Sequence, residues 1–166
     1  MCRMPNGFQI APDFSWHFHL NEFLASGIRE RGHLALIWAT GELLHDSRYT
    51  FLFSPPLWLF KEYPKQHQAK PDAELDILCI RDGKLVIGEA KSSARDLTEK
   101  GLAPLIEVTR ILRPDIVVVS CMETQPRQLT KLADWLRCEL ADVGCEVQAV
   151  VPDVRFNEAS DLLPVL

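Results

Sequence analysis

Asp76, Glu89 and Lys91 are the residues whose types and spacing could do chemistry in this chain. Carboxylates offer the oxygen donors that hard divalent ions such as Mg²⁺ prefer, leaving the remaining positions to waters and phosphate oxygens. A lysine beside them can bind an anion or move a proton. All three lie within the stretch PDAELDILCIRDGKLVIGEAKSS, residues 71 to 93.

The elements that must position them follow from the same stretch. Two apolar runs, Leu75 to Ile80 and Leu85 to Ile87, flank Asp82-Gly83, and an Asp-Gly pair between strand-like runs signals a tight two-residue hairpin turn. The pattern predicts antiparallel strands over residues 74 to 81 and 84 to 91. With Asp82-Gly83 as the loop, Arg81 pairs with Lys84, Ile80 with Leu85, Leu78 with Ile87, Asp76 with Glu89 and Glu74 with Lys91. Directly opposed side chains share a face, so one face is apolar near the turn and charged at its far end. Leu75, Ile77, Cys79, Val86, Gly88 and Ala90 form the other face, and the hairpin is expected to be buried on both sides near the turn. Two acidic groups opposed at about 5 Å between β-carbons destabilise a strand pair unless a cation joins them.

An acid on one strand, a turn, and Glu89-Ala90-Lys91 on the next resemble the PD-(D/E)xK nuclease superfamily, the restriction-endonuclease-like fold. The string Gly88-Glu89-Ala90-Lys91-Ser92-Ser93 is similar to the version in small bacterial defence and DNA-processing domains. The resemblance covers about two dozen residues. It implies an α/β fold with an αβββαβ core, a mixed central sheet flanked by helices, and here an extra C-terminal αβ. It further implies a Mg²⁺- or Mn²⁺-dependent endonuclease acting on DNA, with Asp76, Glu89 and the Ala90 carbonyl holding metal and Lys91 serving the water or the phosphate. Glu74 is a second-tier candidate on the same face. Ser92 and Ser93 could offer hydroxyls to a phosphate or cap the following turn. Nucleases of this superfamily often add an acid from the preceding helix, for which Glu22 and Glu42 are the candidates. Domains of this kind also work as homodimers or with an ATPase or helicase partner.

The remaining chain supplies matching elements. Leu20, Phe23, Leu24, Gly27 and Ile28 recur at helical spacing over residues 16 to 31, and Leu36, Ile37, Thr40, Leu43 and Leu44 continue it to His45. Tyr49 to Phe53 reads as a strand, with Leu57 to Phe60 as its candidate continuation beyond Pro55-Pro56, which interrupt any ladder. The aromatics there read as core or edge packing in preference to a base-stacking platform. Residues 61 to 70 read as a loop. A helix is expected from Ala103, with Pro104 in its first turn, an inward stripe of Leu102, Leu105, Ile106, Thr109 and Leu112, and an end at Pro114. Residues 115 to 121 (DIVVVSC) have the continuous apolar character of a strand covered on both faces. Pro126 opens a last helix with Leu129, Leu132, Ala133, Leu136 and Leu140 inward, Gly144 closes it, and residues 145 to 151 alternate as a final strand.

A chain of 166 residues, 47% hydrophobic and 25% charged, suits one domain with a real core. No apolar run approaches the ~20 residues needed to span a bilayer, and the N-terminal residues lack a secretory pattern, so a cytoplasmic protein without membrane association is expected. The 5 cysteines form no Cys-x-x-Cys pair, against a disulfide framework or a zinc ribbon. His17 and His19 do not share a helix face, against zinc there. The net charge of −5 counts against a simple nucleic-acid binder, leaving a local patch to do that work; Lys61, Lys65, Lys70, Lys91, Arg95 and Lys100 cluster around the motif. The alternative to a nuclease is a catalytically inactive nuclease-like domain that binds nucleic acid or a partner, and a third reading is a metal-dependent hydrolase of small phosphates.

Overall fold

The Asp82-Gly83 turn sets the geometry of everything around it. In the computed structural model, which describes residues 32–62, 70–123 and 127–151, Asp82 has φ 50° and Gly83 φ 78°. Two successive positive φ values define the type I′ turn whose twist matches antiparallel strands. It joins β4 (Ile77–Arg81) to β5 (Lys84–Lys91) in the expected register, Arg81 opposite Lys84 through Leu78 opposite Ile87 and Ile77 opposite Gly88. The Asp82 carboxylate also accepts the amides of Arg48, Tyr49 and Thr50 at 2.9, 2.7 and 3.0 Å. Those bonds, from Arg48 first, hold its carboxyl below the ordinary aspartate value. The turn thereby pins the connection between helix α1 (His33–His45) and strand β1 (Phe51–Ser54).

The first hairpin strand is shorter than the pattern predicts. It breaks at Asp76, and Ala73–Leu75 forms a separate strand, β3, paired with β2 (Leu57–Leu59) in a two-stranded ribbon. Pro55-Pro56 ends β1 as expected, but Leu57–Leu59 leaves the main sheet instead of extending it. Glu74 therefore faces Trp58, not Lys91.

Helix α2 (Glu99–Leu112), strand β6 (Ile116–Cys121), helix α3 (Arg127–Glu139) and strand β7 (Glu146–Val150) complete the described elements. The main sheet has the order β1-β4-β5-β6-β7. β1, β4 and β5 are antiparallel neighbours, while β5, β6 and β7 run parallel. The protein is thus α/β with a mixed five-stranded sheet and three helices among the described residues.

β6 is buried along its whole length, as its apolar run predicts. Its alternating side chains divide the core: Ile116 and Val118 pack on the α1 side with Ile77, Cys79, Val86 and Ala90. Val117, Val119 and Cys121 pack on the other side with Ile87, α2 and α3. α3 buries Leu129, Leu132, Ala133 and Leu136, with Leu140 just beyond, as the periodicity indicates. Cys79 and Cys121 are buried small hydrophobes, whereas Cys138 is exposed.

Three expectations need correction. α1 buries Ala35, Ala39 and Leu43, leaving Ile37 and Leu44 exposed, because small side chains four apart let the helix approach the sheet closely. α2 begins at Glu99, where the Thr98 hydroxyl accepts the Gly101 amide at 3.1 Å, so Pro104 lies inside the helix, and Leu112 is exposed. The hairpin is not covered on both faces near its turn: Ile80 is exposed, and the doubly covered part begins at Val86 and Ile87. The expected helix over residues 16 to 31, the histidines within it, Glu22, Lys65 and Pro126 lie outside the described residues.

Candidate active site

β5 carries the motif because it is central in the sheet, and one glycine lets it sit there. A β-carbon on Gly88 would lie 2.2 Å from the Val118 carbonyl oxygen, so the close approach of β5 to β6 requires the bare backbone. Immediately beyond this contact, Glu89 and Lys91 project from the C-terminal end of β5. The break after Leu75 frees Asp76 from any ladder and turns it toward that end. The amide of Ala90 donates to Asp76 Oδ2 at 3.1 Å, a bond from backbone to carboxylate that fixes the aspartate against the neighbouring strand.

Lys91 then closes the cluster. Its Nζ lies 3.0 Å from Asp76 Oδ2 and 2.5 Å from Glu89 Oε1, so one ammonium bridges two carboxylates. The two carboxylates are mostly covered, 15% and 16% exposed, while the Lys91 side chain keeps 37% of its surface open to solvent. The electrostatics of the two partners differ. Burial would lower the Lys91 pKa, but hydrogen bonding and attraction from Glu89, with the charge of Asp76, outweigh it and raise the value. Glu89 is pushed up to about 7, by burial first and by repulsion from Asp76 second, with Lys91 opposing both only in part. One lysine therefore does not supply enough positive charge to keep this pair comfortably ionised.

The cluster opens onto a cleft of about 570 Å³ lined by Gly32, His33, Leu36, Pro56, Trp58, Glu74, Asp76, Ala90 and Lys91. The N-terminal end of α1, the positive end of its dipole, borders this cleft. Gly32 there has no side chain to cap the helix, and the Ser92 hydroxyl lies beside it, 4.0 Å from where a β-carbon would stand.

Asp76, Glu89, Ala90 and Lys91 are brought together, but the ladder ends at Ile77 opposite Gly88 and the expected cross-strand pair of Asp76 with Glu89 is not part of it; Asp76 joins the cluster through the Ala90 amide and Lys91. Glu74 borders the same cleft but does not touch Lys91; its Oε1 accepts the Trp58 indole N–H at 3.3 Å. Ser93 caps the short 3₁₀ turn Ala94–Asp96 by accepting the Arg95 amide at 3.2 Å, and it donates to the Glu123 carboxylate. Glu42 belongs elsewhere. About two and a half turns along α1 from His33, it lines a depression with Arg81, Asp82 and Lys84 at the hairpin-turn end of the sheet. Of the described members of the basic cluster, Lys61 is engaged with Glu107 at 3.1 Å, and Lys91 alone lines the cleft.

Sequence reasoning missed Trp58, His33 and Glu123. Trp58 had a local signal: in the run Leu57-Trp58-Leu59 the outer residues point inward, which turns the tryptophan outward.

Asp76 and Glu89 offer carboxylate oxygens, which suit Mg²⁺ or Mn²⁺, and the resemblance would add the Ala90 carbonyl to them. The Lys91 ammonium between the carboxylates marks a position where positive charge is favoured. Among the described residues no cluster of three or more His, Cys, Asp or Glu side chains is arranged around a common point, so such an ion would rest on two carboxylates, a carbonyl and waters or substrate. No described helix is long and apolar enough to cross a membrane. No family model matches the sequence, and no curated protein and no solved structure matches it.

Proposed function

We propose that this protein is a metal-dependent phosphodiesterase that hydrolyses nucleic acid, DNA in the first instance, built on a restriction-endonuclease-like core. The observation that carries the reading is the partly buried carboxylate pair with a bridging lysine at the end of a central strand. The order α1, β1, β4, β5, α2, β6, with β2–β3 inserted and α3–β7 appended, supports it, being the succession that the motif's resemblance implies.

Asp76 and Glu89, with the Ala90 carbonyl, would hold Mg²⁺ or Mn²⁺, which supplies a water of lowered pKa and neutralises charge on the scissile phosphate. Asp76 is oriented for this by the Ala90 amide. Glu89, with its pKa near neutrality, would be ionised beside a bound cation, and Lys91 would be the group that holds the phosphate or orients the attacking water. The N-terminal end of α1 adds favourable potential for an anion in the cleft.

The test is cleavage of plasmid and oligonucleotide DNA in Mg²⁺ or Mn²⁺ by wild type, Asp76→Ala, Glu89→Ala and Lys91→Ala. The reading expects activity in the wild type and a loss of at least about 100-fold in each variant, the scale of a general acid–base or electrostatic group. Equal activity in all four would remove the site from consideration.

A second reading is a nuclease-like module that binds without cutting. The engagement of both carboxylates by Lys91 favours it, since a closed ion cluster can be purely structural. Such a module shows no divalent-ion binding that depends on Asp76 and Glu89.

A further inference from the structure

Trp58 is a large apolar side chain left 62% exposed, although tryptophan is highly buried on average. The ribbon explains how. Leu57, Leu59, Ala73 and Leu75 turn their side chains toward the protein, and the opposed pair Trp58 and Glu74 occupies the outer face. Nothing in the folding of the ribbon needs an indole there.

Its location gives it a use. Trp58 lines the same cleft as Asp76, Ala90 and Lys91. The indole N–H donates to Glu74 Oε1 at 3.3 Å, a contact that favours this orientation of the ring and so lowers the ordering cost of a partner that stacks on it. The cleft, at about 570 Å³, is within the range of sites that take a ligand of nucleotide size. It therefore places an aromatic surface on one side and a phosphate-handling cluster on another.

We infer that the cleft takes single-stranded nucleic acid, with one unpaired base stacked on Trp58 while the adjoining phosphate faces Asp76, Glu89 and Lys91. This inference rests on the nuclease reading for the role of the carboxylates and adds the class of substrate to it. A base inside a duplex has both faces covered by its neighbours and offers only edges to a protein. An indole in the cleft wall gains contact only with a base that is unpaired and splayed out. Stacking is indifferent to base identity because every base has a π-face, so the cleft reads strandedness instead of sequence. Glu74, Asp76 and Glu89 outnumber Lys91, and a polyanion enters once divalent cation, or loss of the Glu89 charge, offsets them.

The experiment uses the full chain in a Glu89→Gln background, which removes one negative charge and, on the nuclease reading, the cleavage. Fluorescein-labelled oligothymidylate of 12 nucleotides and a 12-base-pair duplex are titrated in Mg²⁺ and followed by anisotropy. The expected result is tighter binding of the single strand than of the duplex. Adding Trp58→Ala weakens the single strand by about 5- to 160-fold, the equivalent of the ~1–3 kcal/mol of one base–aromatic stack, and Trp58→Phe, which keeps a π-face, weakens it by much less. Circular dichroism of both variants checks that the exposed substitution leaves the fold intact. Binding that is indifferent to Trp58, tighter for the duplex, or absent for both probes overturns the inference. Wild-type cleavage is scored in parallel. Cutting that depends on Asp76 but not on Trp58, in rate or in KM, leaves the nuclease reading standing and the stacking inference refuted. Trp58-dependent binding without any wild-type cutting does the reverse.

Discussion

Replacing Glu89 by glutamine is expected to make the metal-free protein more stable at pH 8 while abolishing its proposed activity. The side chain is 16% exposed and its carboxyl titrates near 7, against an ordinary 4.5 for an unfolded glutamate. Between those two values the folded state holds a proton that the unfolded state has lost. Stability therefore falls as pH rises from about 4.5 to about 7 and is flat above, the sign opposite to that of a stabilising salt bridge. At about 1.4 kcal/mol per unit, the full cost at pH 8 is at most about 3–4 kcal/mol, and loss of the Lys91 contact in the variant returns part of it. A net gain of about 1–2 kcal/mol corresponds to a Tm higher by roughly 2–8 °C for a domain of this size. Lys91 keeps its 3.0 Å bond to Asp76, so the variant leaves no orphaned buried cation. The assay is thermal unfolding in EDTA at pH 5 and pH 8, followed by circular dichroism. The variant should match wild type at pH 5, where Glu89 is protonated, and exceed it at pH 8. A variant less stable than wild type at pH 8 and equal to it at pH 5 would show that the ion pair with Lys91 stabilises the fold, and the functional argument from a strained carboxylate pair would fall.

Three further outcomes follow from the scaffold. Gly88→Ala should destabilise the protein by about 3 kcal/mol or more, measured by urea denaturation, because its methyl group would collide with the Val118 carbonyl across two central strands. Ser120→Ala should raise stability by about 1 kcal/mol in the same assay, since the Ser120 hydroxyl is buried without a hydrogen-bond partner among the described residues. Asp82→Ala should lower Tm at pH 7 by freeing the amides of Arg48, Tyr49 and Thr50. The Asp82 pKa is depressed, so the wild-type advantage is full above the ordinary aspartate value of 3.8 and fades as pH falls through the lower folded value; a Tm difference that persists unchanged in strong acid would contradict this.

What could be read from the chain in advance was whatever depends on local rules. Asp82-Gly83 set the hairpin register because only a two-residue turn with positive φ fits between those runs, and that register carried Asp76 and Glu89 to the same end of the sheet. The unbroken apolar run of residues 116 to 121 identified a buried central strand. The break at Asp76 was not legible, because Ala73–Leu75 has strand character whichever partner it takes; Pro55-Pro56 redirected Leu57–Leu59 to claim it. With that switch went the expected Glu74–Lys91 pair and came the pairing of Trp58 with Glu74. The inward face of α1 was misjudged for a related reason: hydrophobicity pointed to Ile37 and Leu44, while proximity to the sheet selected Ala35 and Ala39. Glu42 was excluded as a site residue by geometry, since a helix that meets the cleft at His33 carries residue 42 away from it.

The central claim is that Asp76 and Glu89 form a divalent-cation site, with Lys91 as its resident counter-charge in the metal-free state. Calorimetric titration of Mn²⁺ at pH 8 into wild type, Asp76→Asn and Glu89→Gln tests it most directly. The account predicts saturable binding to the wild type that is weakened at least tenfold in each variant. Binding that is absent from the wild type, or unchanged in both variants, would contradict it.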